Sequence, residues 1–388
     1  MSVRTGLDRL LSESRRLERR RYGLLSHAAA VSDDLLPAHL ALARIGAPLP
    51  TVLFGPEHGF HGVEQDMVAS GDGRDPWTGV PVVSLYGEAE ESLRPSPRAF
   101  DGLDLLVVDL QDVGARYYTY AATAVWAVEA ALEAGCEVWV LDRPNPLGGA
   151  RVEGNLRRSG FESFVGAFEL PVRHGLTLGE LMRLESIRRG WTEVPEVVPM
   201  MGWSRRECWA DLGRPWVPPS PNLPTLEAAW IYPGLCLVEG TTLSEGRGTA
   251  LPFQLVGAPG VDAVAVATAI RHSGVVAAPV YFKPQAQKHA GEVCGGVRLH
   301  VVAPPVVRPV RLGVEVLAAF AEHAPDAFGW RREAYEFVTD RPAIDLLAGE
   351  ETLRGAIDSR AGIAEWIASW PADEERFLVE RAPALLYD

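Results

Sequence analysis

Four short stretches hold residues able to do chemistry. Gly55-Pro56-Glu57-His58-Gly59 places an acid and a histidine between glycines, with His61 and the acids Glu64 and Asp66 close behind. A second stretch offers Gln111, Asp112, Gly114 and Arg116, followed by Tyr117-Tyr118-Thr119-Tyr120, and a third is Asp142-Arg143-Pro144-Asn145. The fourth runs from Val238 to Thr249 and holds Glu239, Thr242, Glu245 and Arg247 among three glycines. Its glycines let backbone approach a ligand, and its arginine is suited to a two-pronged grip on a carboxylate. Each stretch also has a structural reading. Asp142 and Arg143 can be an ion pair tying loops together, and the tyrosines can be packing at the start of a helix rather than a platform for a ring. His58 and His61 sit on a glycine-bracketed loop whose spacing matches no helical pair of metal ligands, so no metal is expected. His27 and His174 read as hydrogen-bonded structural residues.

The first three stretches each follow an apolar run. Runs at Tyr22–Ser26, Thr51–Phe54, Val82–Tyr86, Leu103–Leu110 and Glu137–Leu141 alternate with helical patterns at Pro37–Ile45 and Tyr118–Ala134. Nearly continuous apolar strands separated by helices predict βαβ units and a parallel sheet covered on both faces. The expected fold is therefore α/β, a Rossmann-like, doubly wound, mostly parallel sheet. Ligands of such sheets bind beyond the carboxyl ends of the strands, where these stretches lie. Thr177 and Glu180 form a capping box for a helix over Thr177–Arg188. From about Ala258 a smaller α/β pattern follows: a helix near Val261–His272, strands at Val276–Phe282 and Val293–Val302, a helix at Leu312–His323, then short helices to the end. The expected division is a Rossmann-like catalytic domain over 1–255 and a smaller C-terminal α/β domain over 256–388.

Composition narrows the function. A chain of 388 residues, 47% of them hydrophobic, is long enough for two packed domains. A formal charge of −14 argues against nucleic acid or an anionic membrane as partner. No stretch approaches the roughly 20 apolar residues of a membrane span, and the N-terminal residues lack the apolar run of a secretory signal, so a cytoplasmic location is expected. The widely separated Cys136, Cys208, Cys236 and Cys294 read as reduced. No GxGxxG, GxxxxGK[ST] or GxSxG string occurs, so the sheet comes without a dinucleotide, triphosphate or serine-hydrolase fingerprint, and no cofactor is expected.

The strings GPEHGF (55–60), LQDVGARYYTY (110–120), VLDRPNPLGG (140–149), RHGLTLGEL (173–181), PPSPNLPT (218–225), YPGLCLVEGTTLSEGRGT (232–249) and CGGVRLHV (294–301) resemble the DUF1343 family. That family is the NamZ-type exo-β-N-acetylmuramidases, glycoside hydrolase family 171, and the resemblance runs from about residue 22 to about 310. It implies a cleft bordered by two domains. It also implies release of N-acetylmuramic acid from the non-reducing end of β-1,4-linked peptidoglycan fragments. Many relatives are secreted, and the family loop often carries Asn where Thr242 stands.

Glycoside hydrolysis uses one carboxyl that donates a proton to the leaving oxygen and a second group that supplies or activates the nucleophile. Glu57 best fits the acid, because it leaves a buried strand between Pro56 and His58 with glycine following. Asp112, Glu239 and Glu245, or a tyrosine such as Tyr118, are candidates for the second group. Arg116, Arg143 and Arg247 are candidates for the lactyl carboxylate of muramic acid, and His58, Tyr118, Asn145, Asn222 and Glu239 are expected around the sugar. Two other classes stay open: a sugar-binding protein that binds without turnover, and a metal-dependent hydrolase using His58, His61 and His174.

Overall fold

The computed structural model describes residues 3–65 and 67–388. Six parallel strands form the main sheet: β1 (Tyr22–Ser26), β2 (Val52–Gly55), β4 (Pro81–Ser84), β5 (Leu105–Asp109), β6 (Glu137–Leu141) and β9 (Glu196–Val198). A short β3 (Gly73–Arg74) pairs antiparallel with the edge strand β4, giving the order β3-β4-β2-β1-β5-β6-β9. Counted along the chain, the six parallel strands stand 3-2-1-4-5-6, the doubly wound order with its switch point between β1 and β5.

Alternation along the strands explains why both faces are covered. Leu24, Leu53, Leu105, Val107, Trp139 and Leu141 join one apolar core with Leu7 and Leu10 of α1 (Gly6–Ser12) and Leu42 of α2 (Ala38–Arg44). Their neighbours Leu25, Phe54, Leu106, Val108, Val138 and Val140 join the other core, with Val125 of α3 (Tyr120–Glu133) and Leu181 of α4 (Leu178–Arg189). Successive side chains point to opposite faces, so a run apolar at every position must be sandwiched. The capping box at α4 is present, with the Glu180 N–H on the Thr177 hydroxyl and the Thr177 N–H on the Glu180 carboxylate.

A two-stranded ribbon, β7 (Glu153–Leu156) with β8 (Pro171–Arg173), precedes α4, and α5 (Leu226–Leu235) comes after β9. A smaller antiparallel sheet follows, order β10-β12-β11, from β10 (Leu255–Ala258), β11 (Val275–Phe282) and β12 (Cys294–Val301), with α6 (Ala263–Ala269) packed on it. The expected division at residue 255 falls at the first residue of β10. Helix α7 (Pro309–His323) crosses α5 at Gly234 and Gly313, where a Cβ on Gly234 would stand 1.8 Å from the Pro309 carbonyl oxygen. Helices α8 (Ala343–Ala348), α9 (Thr352–Ser359) and α10 (Ile363–Arg381) complete the chain.

One expectation needs correction. The end of the chain is not only short helices, since α10 spans 19 residues with Pro371 inside it. Helix α5 likewise contains Pro233. Proline argues against a helix by propensity, and packing of the apolar faces overrides it in both places. The four cysteines are free, three of them buried. Among the described residues no helix is long and apolar enough to cross a membrane.

Candidate active site

The loops after β2 and β5 reach a cavity of about 440 Å³, counting its open mouth. Its walls hold Glu57, His58, Tyr117, Tyr118 and Thr119 from the sheet edge, Ser220 and Leu223 from the proline-rich loop, and Tyr232 from α5. Glu239, Arg247 and Phe253 come from the glycine-rich loop and its continuation, and Tyr335 and Glu336 from a turn near the end of the chain. Three carboxylates, an arginine and several phenols thus share one small space.

Glu57 is 5% exposed. One carboxylate oxygen accepts the Thr119 hydroxyl at 2.7 Å, and the other accepts the Met67 N–H at 3.3 Å. Thr119 immediately precedes α3, so the helix that covers the sheet also fixes this donor. Next to the acid, His58 has a φ of +71°, and its Nδ1 donates to the Glu64 carbonyl oxygen at 3.0 Å. A left-handed conformation at a non-glycine residue costs about 1–2 kcal/mol and marks a loop held in place by its surroundings. Asn222 steadies the same loop through Gln65, its Nδ2 lying 3.0 Å from that residue's Oε1, while its neighbours Ser220 and Leu223 reach the cavity.

Glu239 is gripped from two sides. Arg247 donates to one oxygen at 2.7 Å and the Tyr335 hydroxyl to the other at 2.6 Å. Burial alone would raise its pKa, but Arg247, Tyr335 and Lys288 outweigh burial and lower it, so the carboxylate stays charged. Glu245 stands outside the cavity lining, bridging Arg247 Nε at 3.3 Å and Lys288 Nζ at 3.0 Å. Lys288 also donates to the carbonyls of Val238, Glu239 and Leu243, which pins the loop. Thr242 points away, its hydroxyl donating to the Ala327 carbonyl at 2.8 Å.

The remaining expected residues serve the scaffold. Arg116 does not line the cavity; it is buried and donates to the carbonyls of Asn155, Leu170 and Leu347, tying β7 and α8 to the sheet edge. Arg143 does not line it either. Its partner is not Asp142 but Asp109, which it grips through Nε and Nη2 at 2.5 and 2.8 Å. From Arg143, Asp142 accepts only the backbone N–H, at 3.0 Å; its other donors are on Thr177, Gly179 and Tyr387, and burial lifts its pKa to about 6. Asn145 braces the loop after β6, donating to the Leu176 carbonyl at 2.8 Å, and packs on Gly114, where a Cβ would stand 2.5 Å from the Asn145 Oδ1. Asp112 lies off the cavity, accepting the Gly114 N–H at 2.6 Å with His174 Nε2 at 3.6 Å; burial lifts its pKa to about 7. His174 is held neutral by burial and by Arg381 and Arg173, at about 3. His27 accepts the Gln111 N–H at 3.0 Å, and burial also lowers its pKa. His61 faces Asp75 at 3.4 Å, as does His39 at 3.5 Å. Asp66 lies outside the described residues.

Tyr335 and Glu336 escaped the sequence reading. They belong to a two-residue hairpin closed by Tyr335 and Val338, whose N–H and carbonyl groups pair at 3.0 and 2.9 Å. Both central residues, Glu336 and Phe337, have positive φ, +46° and +69°. Tight hairpins of this kind favour Asn-Gly, and Tyr-Glu-Phe-Val carries no such mark.

Comparison with known proteins decides the family. Residues 22–227 match the family model described as exo-β-N-acetylmuramidase NamZ, N-terminal, and residues 230–387 the corresponding C-terminal model. The chain belongs to the NamZ exo-β-N-acetylmuramidase family. It is 36% identical to the peptidoglycan β-N-acetylmuramidase NamZ of Bacillus subtilis, over 99% of this chain and 91% of that protein. Crystal structures of two DUF1343 family proteins from Bacteroides fragilis are also similar, each matched over 100% of this chain and 99% of the other. One has a TM-score of 0.86 at 31% identity, the other 0.74 at 28%. In this NamZ-family chain the cavity is built by both matched segments, with Glu57 from the first and Glu239, Arg247 and Glu336 from the second.

Proposed function

We propose that this glycosidase removes N-acetylmuramic acid from the non-reducing end of β-1,4-linked peptidoglycan fragments, and that the cavity around Glu57 is where it does so. The reading rests on one observation above all: the buried carboxyl of Glu57, just after β2, shares a cavity with the Arg247-paired Glu239. Glu57 donates the proton to the leaving oxygen. Glu239, kept ionised by Arg247 and Tyr335, stabilises the positive charge that develops at the anomeric carbon. Of the three arginines considered for the lactyl carboxylate, Arg247 alone lines the cavity, and it takes that role. Tyr118 and His58 form the walls on which the sugar lies.

The test is direct. Purified protein incubated with N-acetylmuramyl-β-1,4-N-acetylglucosamine releases both monosaccharides. Glu57→Gln keeps the volume but carries no transferable proton, and lowers kcat by at least about 10²-fold. Binding of the disaccharide without turnover by wild type would favour a sugar-binding protein and overturn the reading. Near wild-type activity in folded Glu57→Gln would remove Glu57 from the acid's role.

A further inference from the structure

The proposed function leaves one role unfilled, the group that activates the attacking water. Glu239 is poorly suited, because each of its oxygens already accepts a short hydrogen bond and its basicity is depressed. Glu245 and Asp112 do not line the cavity. The third carboxylate in the lining is Glu336, 6% exposed, on the hairpin at Tyr335–Val338. Backbone strain there is unusual. Glu336 and Phe337 both occupy the left-handed region in a two-residue turn, where glycine and asparagine fit without strain. The surroundings impose the conformation: the Tyr335 hydroxyl is held by Glu239, the Phe337 ring packs 6.0 Å from Tyr86, and the Tyr86 hydroxyl donates to Glu336 at 3.2 Å. All three contacts fix the turn so that its acid stands in the cavity wall.

The geometry points to Glu336 as the general base of the reaction, a further catalytic carboxylate opposite in role to Glu57. This rests on the function proposed above. In the step, a water oxygen bonds to C1 of the terminal sugar as Glu336 takes one of its protons. The bond from C1 to the leaving oxygen breaks, its electron pair stays on that oxygen, and the oxygen receives the proton of Glu57. Glu57 ends ionised and Glu336 protonated, and exchange with solvent restores both. Direct attack by water inverts the anomeric centre, so the first product is α-N-acetylmuramic acid.

The experiment compares wild type and Glu336→Gln on N-acetylmuramyl-β-1,4-N-acetylglucosamine, with the first-formed anomer followed by NMR. Expected are a loss of at least about 10²-fold in kcat with little change in KM, and disappearance of the acidic limb of the pH–rate profile. Azide added to Glu336→Ala should restore turnover and yield the α-glycosyl azide, which a merely structural role would not do. Should Glu336→Gln fail to fold, Glu336→Asn suits the left-handed backbone, and the wild-type anomer still decides. Retained kcat in a folded variant, or β-anomer released first, overturns the assignment while leaving the muramidase reading intact. A wild type that does not cleave the disaccharide overturns both.

Discussion

Two arginine–carboxylate pairs stand near the carboxyl edge of the main sheet, and the same chemistry serves different ends in them. Arg143 and Asp109 lie at the topological switch point, where related sheets open a crevice for ligands. Here the pair is 3% and 0% exposed and lies beside buried His27 and Gln111, so protein side chains occupy that position. Arg247 and Glu239 are nearly as buried, at 7% and 6%, but they face the cavity. The proposed site is therefore displaced from the switch point toward the second matched segment. An arginine after a strand is a ligand contact only when a cavity reaches it, and burial alone does not separate the cases.

Breaking the switch-point pair gives the largest effect. Arg143→Met leaves the Asp109 carboxylate buried without its partner, and loss of one member of a buried pair costs about 3–5 kcal/mol. Chemical denaturation should show that loss, while the fraction still folded keeps its preference for muramic acid over N-acetylglucosamine. A stable variant with altered preference would place Arg143 in the binding site and erase the contrast.

Asp112 sharpens the comparison from a third position at the same edge. Its pKa in the folded protein is raised to about 7, so the fold binds its proton more tightly than the unfolded chain does. Stability contributed by the protonated form is complete below the unfolded value of about 3.9. It is lost as pH rises toward 7 and changes no further above that. At about 1.4 kcal/mol per unit, the upper bound is roughly 4 kcal/mol. Asp112→Asn mimics the protonated acid and still accepts the Gly114 N–H. Its melting temperature should exceed that of wild type at pH 8, with the gain shrinking toward pH 4. A gain independent of pH would show that Asp112 is not the titrating group.

Strand positions and the Glu57 loop were legible because both follow local rules. An apolar run has to be a strand covered on two faces, and Pro-Glu-His-Gly after such a run has to be a loop at the carboxyl edge. The partners of Arg116, Arg143 and Asn145 were not legible. They are backbone carbonyls and an aspartate brought together by tertiary contacts, such as Leu347, 231 residues from Arg116. Glu336 was hidden for a further reason: its turn is imposed by Tyr86, Glu239 and the packing of Phe337 rather than by turn-forming residues. Thr119, Tyr232 and Ser220 lie inside strings that carried the family resemblance, yet nothing local in them tells a cavity wall from a core.

The smallest predicted effect tests the other pair. Arg247 holds Glu239 through Nη2 and lies 3.3 Å from Glu245 through Nε, so it already spans two acids while lining the cavity. Lysine in its place keeps the charge and one contact but cannot reproduce the fork. Glu239 would remain ionised, with Tyr335 and Lys288 still beside it, so turnover should persist. The proposed charged contact with the lactyl carboxylate would be weakened, and a charged hydrogen bond is worth about 1.5–3 kcal/mol. Arg247→Lys should therefore lose about 10-fold or more in kcat/KM for the muramic acid substrate, mostly through KM. The same change should leave kcat/KM for a terminal N-acetylglucosamine analogue nearly untouched, since that sugar has no carboxylate to grip. Equal losses on both substrates would mean that Arg247 acts only through Glu239. The two arginine–carboxylate pairs would then differ in position but not in kind.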